Sequence, residues 1–167
     1  MDKVVANTSP LIFSSKVEGL LEILNKFFEE ILIPEEVYEE AVVRGLESDR
    51  KEVRENAQQL QKLIEKGKFR TTEVKEKEKW EGLGKGESAA ISLAKEKNIR
   101  RILLDERKGI RIARSQGLEP EPLPSLLIKA HKKNLISKKK AKNLLHNLLA
   151  KNYWLSVPDY ERIMKKL

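Results

Sequence analysis

The apolar residues of this chain include two short runs that each end on small polar or acidic groups. The first, Val4-Val5-Ala6, is closed by Asn7-Thr8-Ser9. The second, Ile102-Leu103-Leu104, is closed by Asp105-Glu106. Each run is about as long as a strand, and a helical pattern follows each. In an open α/β sheet, ligands bind beyond the carboxyl ends of the strands, where the strand order reverses. That rule alone places Asn7 and Asp105 where chemistry is expected.

The rest of the pattern alternates between strand and helix. Ser9-Pro10 is expected to open a helix, with serine as cap and proline in the first turn. Leu20, Leu21, Ile23, Leu24, Phe27 and Phe28 continue as an amphipathic helix to Glu29. Ile31-Leu32-Ile33 predicts a second strand, ended by Pro34, which opens a helix with Val37, Tyr38 and Ala41 facing inward. Asp49 with Glu52 resembles a capping box for a helix over 49–65, stopped by Gly67. Residues 69–74 read as a short strand or extended loop, and 75–81 as an exposed charged stretch around Trp80. Gly82, Gly84 and Gly86 form a flexible loop ahead of a helix over 87–97. That helix is rich in small residues, which let it lie close to a sheet. The strand over 101–104 leads into a helix over 105–116, and 118–122 is extended. Helices over 125–133 and 137–151, an extended piece over 153–157 and a terminal helix from Pro158 complete the chain. Strand and helix in alternation imply a parallel sheet with right-handed crossovers. No internal repeat or linker divides the 167 residues, so one domain is expected.

Composition narrows this picture. Charged residues make up 36% and aromatics 5%, so the core must be aliphatic. Cysteine is absent, which excludes disulfides and thiolate metal sites and points to a reducing cytoplasm. The abundance of Lys and Glu fits a thermophile. No apolar run has the length of a membrane span, and Asp2 stands where a signal peptide would be basic. The net charge of +8 is local: between Pro122 and Pro158 there are eight lysines and no Asp or Glu. Such a block suits either a polyanionic partner or a solvated helix face.

Candidate chemistry is carboxylate chemistry. No nucleophile elbow is present, His131 and His146 lie in the lysine-rich tail, and the glycine loop lacks the Gly-Lys-Ser/Thr of a phosphate loop. Asp105 ends a strand and Glu87 begins a helix. Glu35, Glu36, Glu39 and Glu40 follow the second strand. Together they offer oxygen ligands for a hard cation such as Mg²⁺ or Mn²⁺. Each alone is more often a glutamate that simply favours a helix dipole.

Four blocks in order resemble a known family. They are Val4-Val5-Ala6-Asn7-Thr8-Ser9-Pro10-Leu11-Ile12, Ile31 to Ala41, Gly84 to Ala94, and Ile102 to Arg107. Together they are similar to a PIN domain, and the tail resembles an archaeal and bacterial subgroup of PIN proteins of unknown function. The resemblance implies a three-layer α/β/α fold with a central parallel sheet of about four or five strands. Residues 1–122 form its α/β core and 123–167 a basic helical extension. It also implies a metal-dependent endoribonuclease, a toxin of a toxin–antitoxin pair or an RNA-processing enzyme. Its metal and catalytic acids fall on Asn7, Glu40, Glu87 and Asp105, with Glu36 the rival to Glu40 one turn earlier. Thr8 and Ser9 match the polar pair that supports the first ligand. Asn7 departs from the family's aspartate. An amide oxygen still ligates a cation, but it brings no charge.

The implied partners are RNA, a second copy and a small antitoxin protein. Arg107, Arg111 and Arg114 recur at i, i+4 and i+7 after Asp105 and are placed to hold a nucleic-acid backbone, or to pair with glutamates on a solvated face. Lys138, Lys139, Lys140 and Lys142 are expected to add sequence-independent affinity. Tyr153 and Trp154 read as packing residues more than as base-stacking ones. The first helices carry surplus apolar surface, so Leu20, Leu24, Phe27 and Phe28 are expected at a homodimer contact. The alternative to an active nuclease is a PIN-like module that binds RNA or a protein without cutting. A third reading gives the tail helices to oligomerisation alone.

Overall fold

A computed structural model describes residues 2–167. Its centre is a five-stranded sheet, all parallel, in the order β3-β2-β1-β4-β5. The strands are β1 (Asp2–Ala6), β2 (Phe28–Pro34), β3 (Arg70–Thr72), β4 (Arg101–Leu103) and β5 (Glu119–Glu121). The chain moves outward from β1 to β3 on one side, then returns to β4 on the other. The order therefore reverses between β1 and β4, where Val5 is in register with Ile102 and Ala6 with Leu103.

Alternation along the strands divides the core into two layers. Val4, Ala6, Ile31, Ile33 and Leu103 face one side. Val5, Leu32, Ile102 and Leu104 face the other. Neighbouring strand residues point to opposite faces, so every buried parallel strand must be apolar on both. The first face is covered by α1 (Thr8–Lys16), α2 (Leu20–Phe27), α5 (Lys51–Glu65), α8 (Leu123–Lys132) and α9 (Lys138–Ala150). The second is covered by α6 (Lys85–Glu96) and α7 (Arg107–Ser115). In α6 the buried Ala89, Ala90 and Ala94 let the helix lie close to β1, β2 and β4. The last helix is α10 (Val157–Lys166). Among the described residues no helix is long and apolar enough to cross a membrane.

Several local expectations are corrected. The segment after β1 is two helices, because Gly19 takes φ of +87° and turns the chain between them. Such backbone strains any residue with a Cβ, which is why glycine stands there. The second strand starts at Phe28. Glu30 is held there by Lys3 at 2.8 Å and Arg70 at 2.8 Å, a strand pairing that overrides the helical pattern. The 49–52 capping box does not form: α5 begins at Lys51, and the Ser48 hydroxyl accepts from the Arg50 amide instead. Ser9 is not the cap: Asn7 takes the cap position and α1 starts at Thr8, two residues earlier than expected.

The apolar surface assigned to a second copy is also reassigned. Leu20, Leu24, Phe27 and Phe28 are all buried within their own chain. They share one cluster with Leu126, Leu127 and Ala130 of α8 and with Leu144, Leu145 and Leu148 of α9. The lysine-rich tail is thus amphipathic, and its apolar face covers the surplus that the first helices carry.

Between β2 and α5 the chain runs through α3 (Glu35–Tyr38), a π-helical turn (Glu39–Val43) and α4 (Arg44–Leu46). Here α4 meets α5 at Gly45, where an added Cβ would stand 2.7 Å from the Cβ of Ala57. Both atoms are fixed by backbone, so the helices would have to part. Gly45→Ala is expected to lower unfolding free energy by roughly 1–3 kcal/mol, the cost of overpacking, as read by urea denaturation.

Candidate functional site

The site is built at the carboxyl ends of β1 and β4. Asn7 leaves β1 with its amide N–H donating to the Leu103 carbonyl at 3.2 Å, so β1 and β4 are still paired at that point. Its side chain is nearly buried, at 6% exposure, and its Oδ1 has no hydrogen-bond partner. An orphaned buried acceptor costs on the order of 1–3 kcal/mol and calls for an explanation. Asn7 lines a cavity of about 330 Å³ together with Thr8, Ser9, Glu40, Gly86 and Glu87. It also lines an adjoining one of about 690 Å³ with Glu87, Asp105, Glu106 and residues of the C-terminal tail.

Glu40 enters from the π-helical turn. The extra residue in such a turn changes the direction of the side chains that follow, and such turns recur at functional sites. One carboxylate oxygen of Glu40 accepts from the Thr8 hydroxyl at 2.7 Å, and the other accepts from the Gly86 amide at 3.1 Å. A Cβ on Gly86 would stand 2.6 Å from Oε2 of Glu40, so glycine is what lets the carboxylate approach. Glu36, the rival one turn earlier, instead pairs with Lys77 at 2.6 Å and lines neither cavity.

Glu87 stands in the first turn of α6, its carboxylate accepting from the Gly84 amide at 3.3 Å. Burial raises its carboxyl pKa to about 7, and the neighbouring Glu106 and Glu40 add to the rise. Crowded carboxylates hold a proton that each alone would lose. Glu106 is the residue that reading of the sequence missed. The helix after β4 starts at Arg107, with Glu106 as its cap accepting from the Lys108 amide at 3.4 Å. The available signal was its position immediately before a helix and beside an acid already singled out.

Asp105 is tied down more firmly. Its Oδ1 accepts from the Tyr153 hydroxyl at 2.5 Å and from the Leu123 amide at 3.0 Å. Its Oδ2 faces the Ser9 hydroxyl at 3.5 Å. Burial pushes its pKa up, against the lowering effect of these donors. Burial and the nearby Asp105 raise the pKa of Tyr153, so the phenol stays a donor.

Asn7, Glu87 and Asp105 thus line one cavity, and Asn7, Glu40 and Glu87 another beside it. Among the described residues, however, no group of three or more His, Cys, Asp or Glu side chains stands in metal-holding geometry. Two of the acids spend their oxygens on protein donors, and Asn7 is an amide. The donor set is nevertheless all hard oxygen, and the unpaired Oδ1 of Asn7 is suited to a Mg²⁺ or Mn²⁺ ligand. The chemistry of the donors fits such a cation.

The expected nucleic-acid residues divide. Arg107 lines the larger cavity and pairs with Asp159 at 2.9 Å. Arg111 and Arg114 are exposed on the same helix and line neither cavity. Lys138, Lys139, Lys140 and Lys142 occupy the first turns of α9, also outside both linings. Tyr153 is buried and packs edge-on against Phe13 at 5.2 Å, whereas Trp154 is 75% exposed.

The sequence model of a family described as a PIN domain matches residues 3–167. The fold is similar to that of a PilT N-terminus domain protein from the hyperthermophilic archaeon Sulfolobus solfataricus P2. That pair shares 23% identity with a TM-score of 0.51, over 78% of this chain and 93% of the other. A domain of a functionally unknown protein from Methanocaldococcus jannaschii DSM 2661 matches with 21% identity and a TM-score of 0.49. The match covers 72% of this chain and 90% of that domain. No curated protein matches at a significant level.

The crowding at Glu87 has a measurable sign. Its folded pKa of about 7 lies above the ordinary value of 4.5, so the native state holds more protons between those values. Stability therefore falls as pH rises through that window. Metal-free Glu87→Gln is expected to melt higher than wild type at pH 8, with a smaller difference at pH 5. Discounted for partial exposure, the gain is on the order of 1 kcal/mol, or about 2–4 °C by calorimetry.

Proposed function

The chain belongs to the PIN-domain family, and from that premise we propose that it is a divalent-metal-dependent endoribonuclease. It serves either as the toxin of a toxin–antitoxin pair or in RNA processing, in a reducing cytoplasm. The observation that carries this reading is the unpaired, buried Oδ1 of Asn7, in cavities it shares with Glu40, Glu87 and Asp105 at the point where the strand order reverses. Asn7, Glu40, Glu87 and Asp105 would hold Mg²⁺ or Mn²⁺, with Glu106 next to them. When bound, such a cation lowers the pKa of water and stabilises charge on a phosphodiester during in-line displacement.

The chain's own residues supply orientation and charge. Thr8 and the Gly86 amide aim the two oxygens of Glu40. Tyr153 and the Leu123 amide hold Oδ1 of Asp105, which directs Oδ2 toward the side of Ser9. Glu87, whose pKa burial raises to about 7, would hold a cation only as the carboxylate, so binding is expected to strengthen as pH rises through that value. Arg107, at the cavity wall, is placed to meet a phosphate.

The amide at position 7 favours a second reading, a PIN-fold module that binds RNA or a protein partner without cleaving. Asn7→Asp separates the two. It is expected to tighten Mn²⁺ binding by on the order of tenfold by calorimetry and to raise cleavage of single-stranded RNA at limiting metal. Asp105→Asn should lower both. Absence of cleavage by wild type and by Asn7→Asp at every metal concentration would leave the binding module.

Gly86→Ala gives a separate check. The added methyl meets the flexible end of Glu40, so the site should yield before the fold does. Melting temperature is expected to stay within about 2 °C. Mn²⁺ affinity should fall by on the order of tenfold, as for other losses of ligand orientation.

A further inference from the structure

The larger cavity extends well beyond the acids. Its outer wall is made by the C-terminal tail, and at its rim stands Trp154, exposed by 75%. An exposed tryptophan loses the burial that normally stabilises so large a ring, so its position needs a cause. The chain around it is pinned on both sides. Asn152, with φ of +67°, ends α9, and the Tyr153 amide donates back to the Leu148 carbonyl at 3.0 Å. Tyr153 then turns inward to Asp105. Two residues after Trp154, Ser156 caps α10 by accepting from the Asp159 amide at 3.2 Å. The indole is thus held outward between two anchored residues, one of which touches the candidate site itself.

Charge of both signs meets in the same cavity. Acids and bases both line it: Glu87, Asp105, Glu106 and Asp159 on one hand, Arg107, Arg162 and Lys166 on the other. Asp159 pairs with Arg107 at 2.9 Å and Arg162 at 3.1 Å, which fixes the two guanidinium groups beside each other. Each guanidinium has five donors, and both side chains are largely exposed, so donors remain for a phosphate. A volume of about 690 Å³ is within the range of pockets that take a whole small ligand.

We propose that this groove is the single-strand subsite of the nuclease: an unpaired base stacks on Trp154, and the adjoining phosphates lie against Arg107, Arg162 and Lys166. The occupant is single-stranded RNA, because an aromatic face beside cations is how unpaired bases and their backbone are held together. A duplex keeps its bases stacked internally and offers no face to the indole. The inference rests on the ribonuclease reading and adds to it where the unpaired strand lies and which side chains of this chain hold it.

The test uses the full chain with Trp80→Phe, which leaves Trp154 the sole tryptophan. In EDTA, a ten-nucleotide oligouridylate is expected to quench its fluorescence, and the same strand paired in a duplex is not. By anisotropy with a labelled strand, Trp154→Ala should bind about tenfold or more weakly, and Trp154→Phe should retain most of the affinity. With Mn²⁺, Trp154→Ala should raise KM with little change in kcat, since the platform binds and does not react. Unchanged binding and KM in Trp154→Ala, with cleavage intact, would overturn the platform and leave the nuclease standing. No binding and no cleavage by wild type would overturn both. If Trp154→Ala abolishes self-association by light scattering and leaves RNA binding unchanged, the face joins two copies and the proposal is wrong.

Discussion

The hydrogen bonds accepted by Asp105 hold this molecule together at the point where it is electrostatically most awkward. A carboxylate at the end of a buried strand must find donors or lose its charge. Here the donors are the Tyr153 hydroxyl and the Leu123 amide, both from chain that follows the last strand. The tail cannot leave the first face of the sheet without stripping Asp105 of these partners. Conversely, Leu126, Leu127, Leu145 and Leu148 of α8 and α9 are buried in one apolar cluster with Tyr153 and with Leu20 and Leu24 of α2, which keeps Tyr153 in place. Packing of the tail and orientation of the acid are therefore one constraint, met twice.

The same logic governs the other acids, with different strengths. Glu40 draws its donors from two elements far apart in sequence, Thr8 on α1 and Gly86 on α6. Glu87 accepts from the Gly84 amide, but burial, and after it the crowding by Glu106, raises its pKa. Asn7 has no partner at all for Oδ1. Across the site, preorganisation runs from firm at Asp105 to absent at Asn7. The least satisfied group sits where the strand order reverses.

Much of this was legible in the sequence. β1 and β4 could be read because an apolar run that is buried on both faces leaves little choice of structure, and Asn7 and Asp105 mark where each ends. The small residues of α6 announced its closeness to the sheet. Other features depend on contacts that no local pattern carries. Phe28-Glu29 reads as the end of a helix until β-pairing takes over from Phe28, with Lys3 and Arg70 supplying partners for Glu30. The apolar stripe of α2 looked like a surface for a second copy because the tail that covers it lies a hundred residues on in the sequence. Tyr153 and Trp154 are neighbours of similar chemistry, and only the anchored bend between α9 and α10 separates one as packing from the other as surface. Glu36 and Glu40 could not be told apart, since a regular helix puts both on one face.

What separates them is the π-helical turn at Glu39–Val43. A π turn is an α-helix that carries one residue too many, so it is also a counting device. Each residue of an α-helix advances about 100° around the axis. Removing a single residue between Glu40 and Gly45 would restore an ordinary helix and leave its two ends out of phase. Either Glu40 would swing away from Thr8 and Gly86, or Gly45 would swing away from Ala57. The length of this segment is therefore coupled to the geometry at both ends. A deletion in this segment would disturb the site more than most single substitutions there.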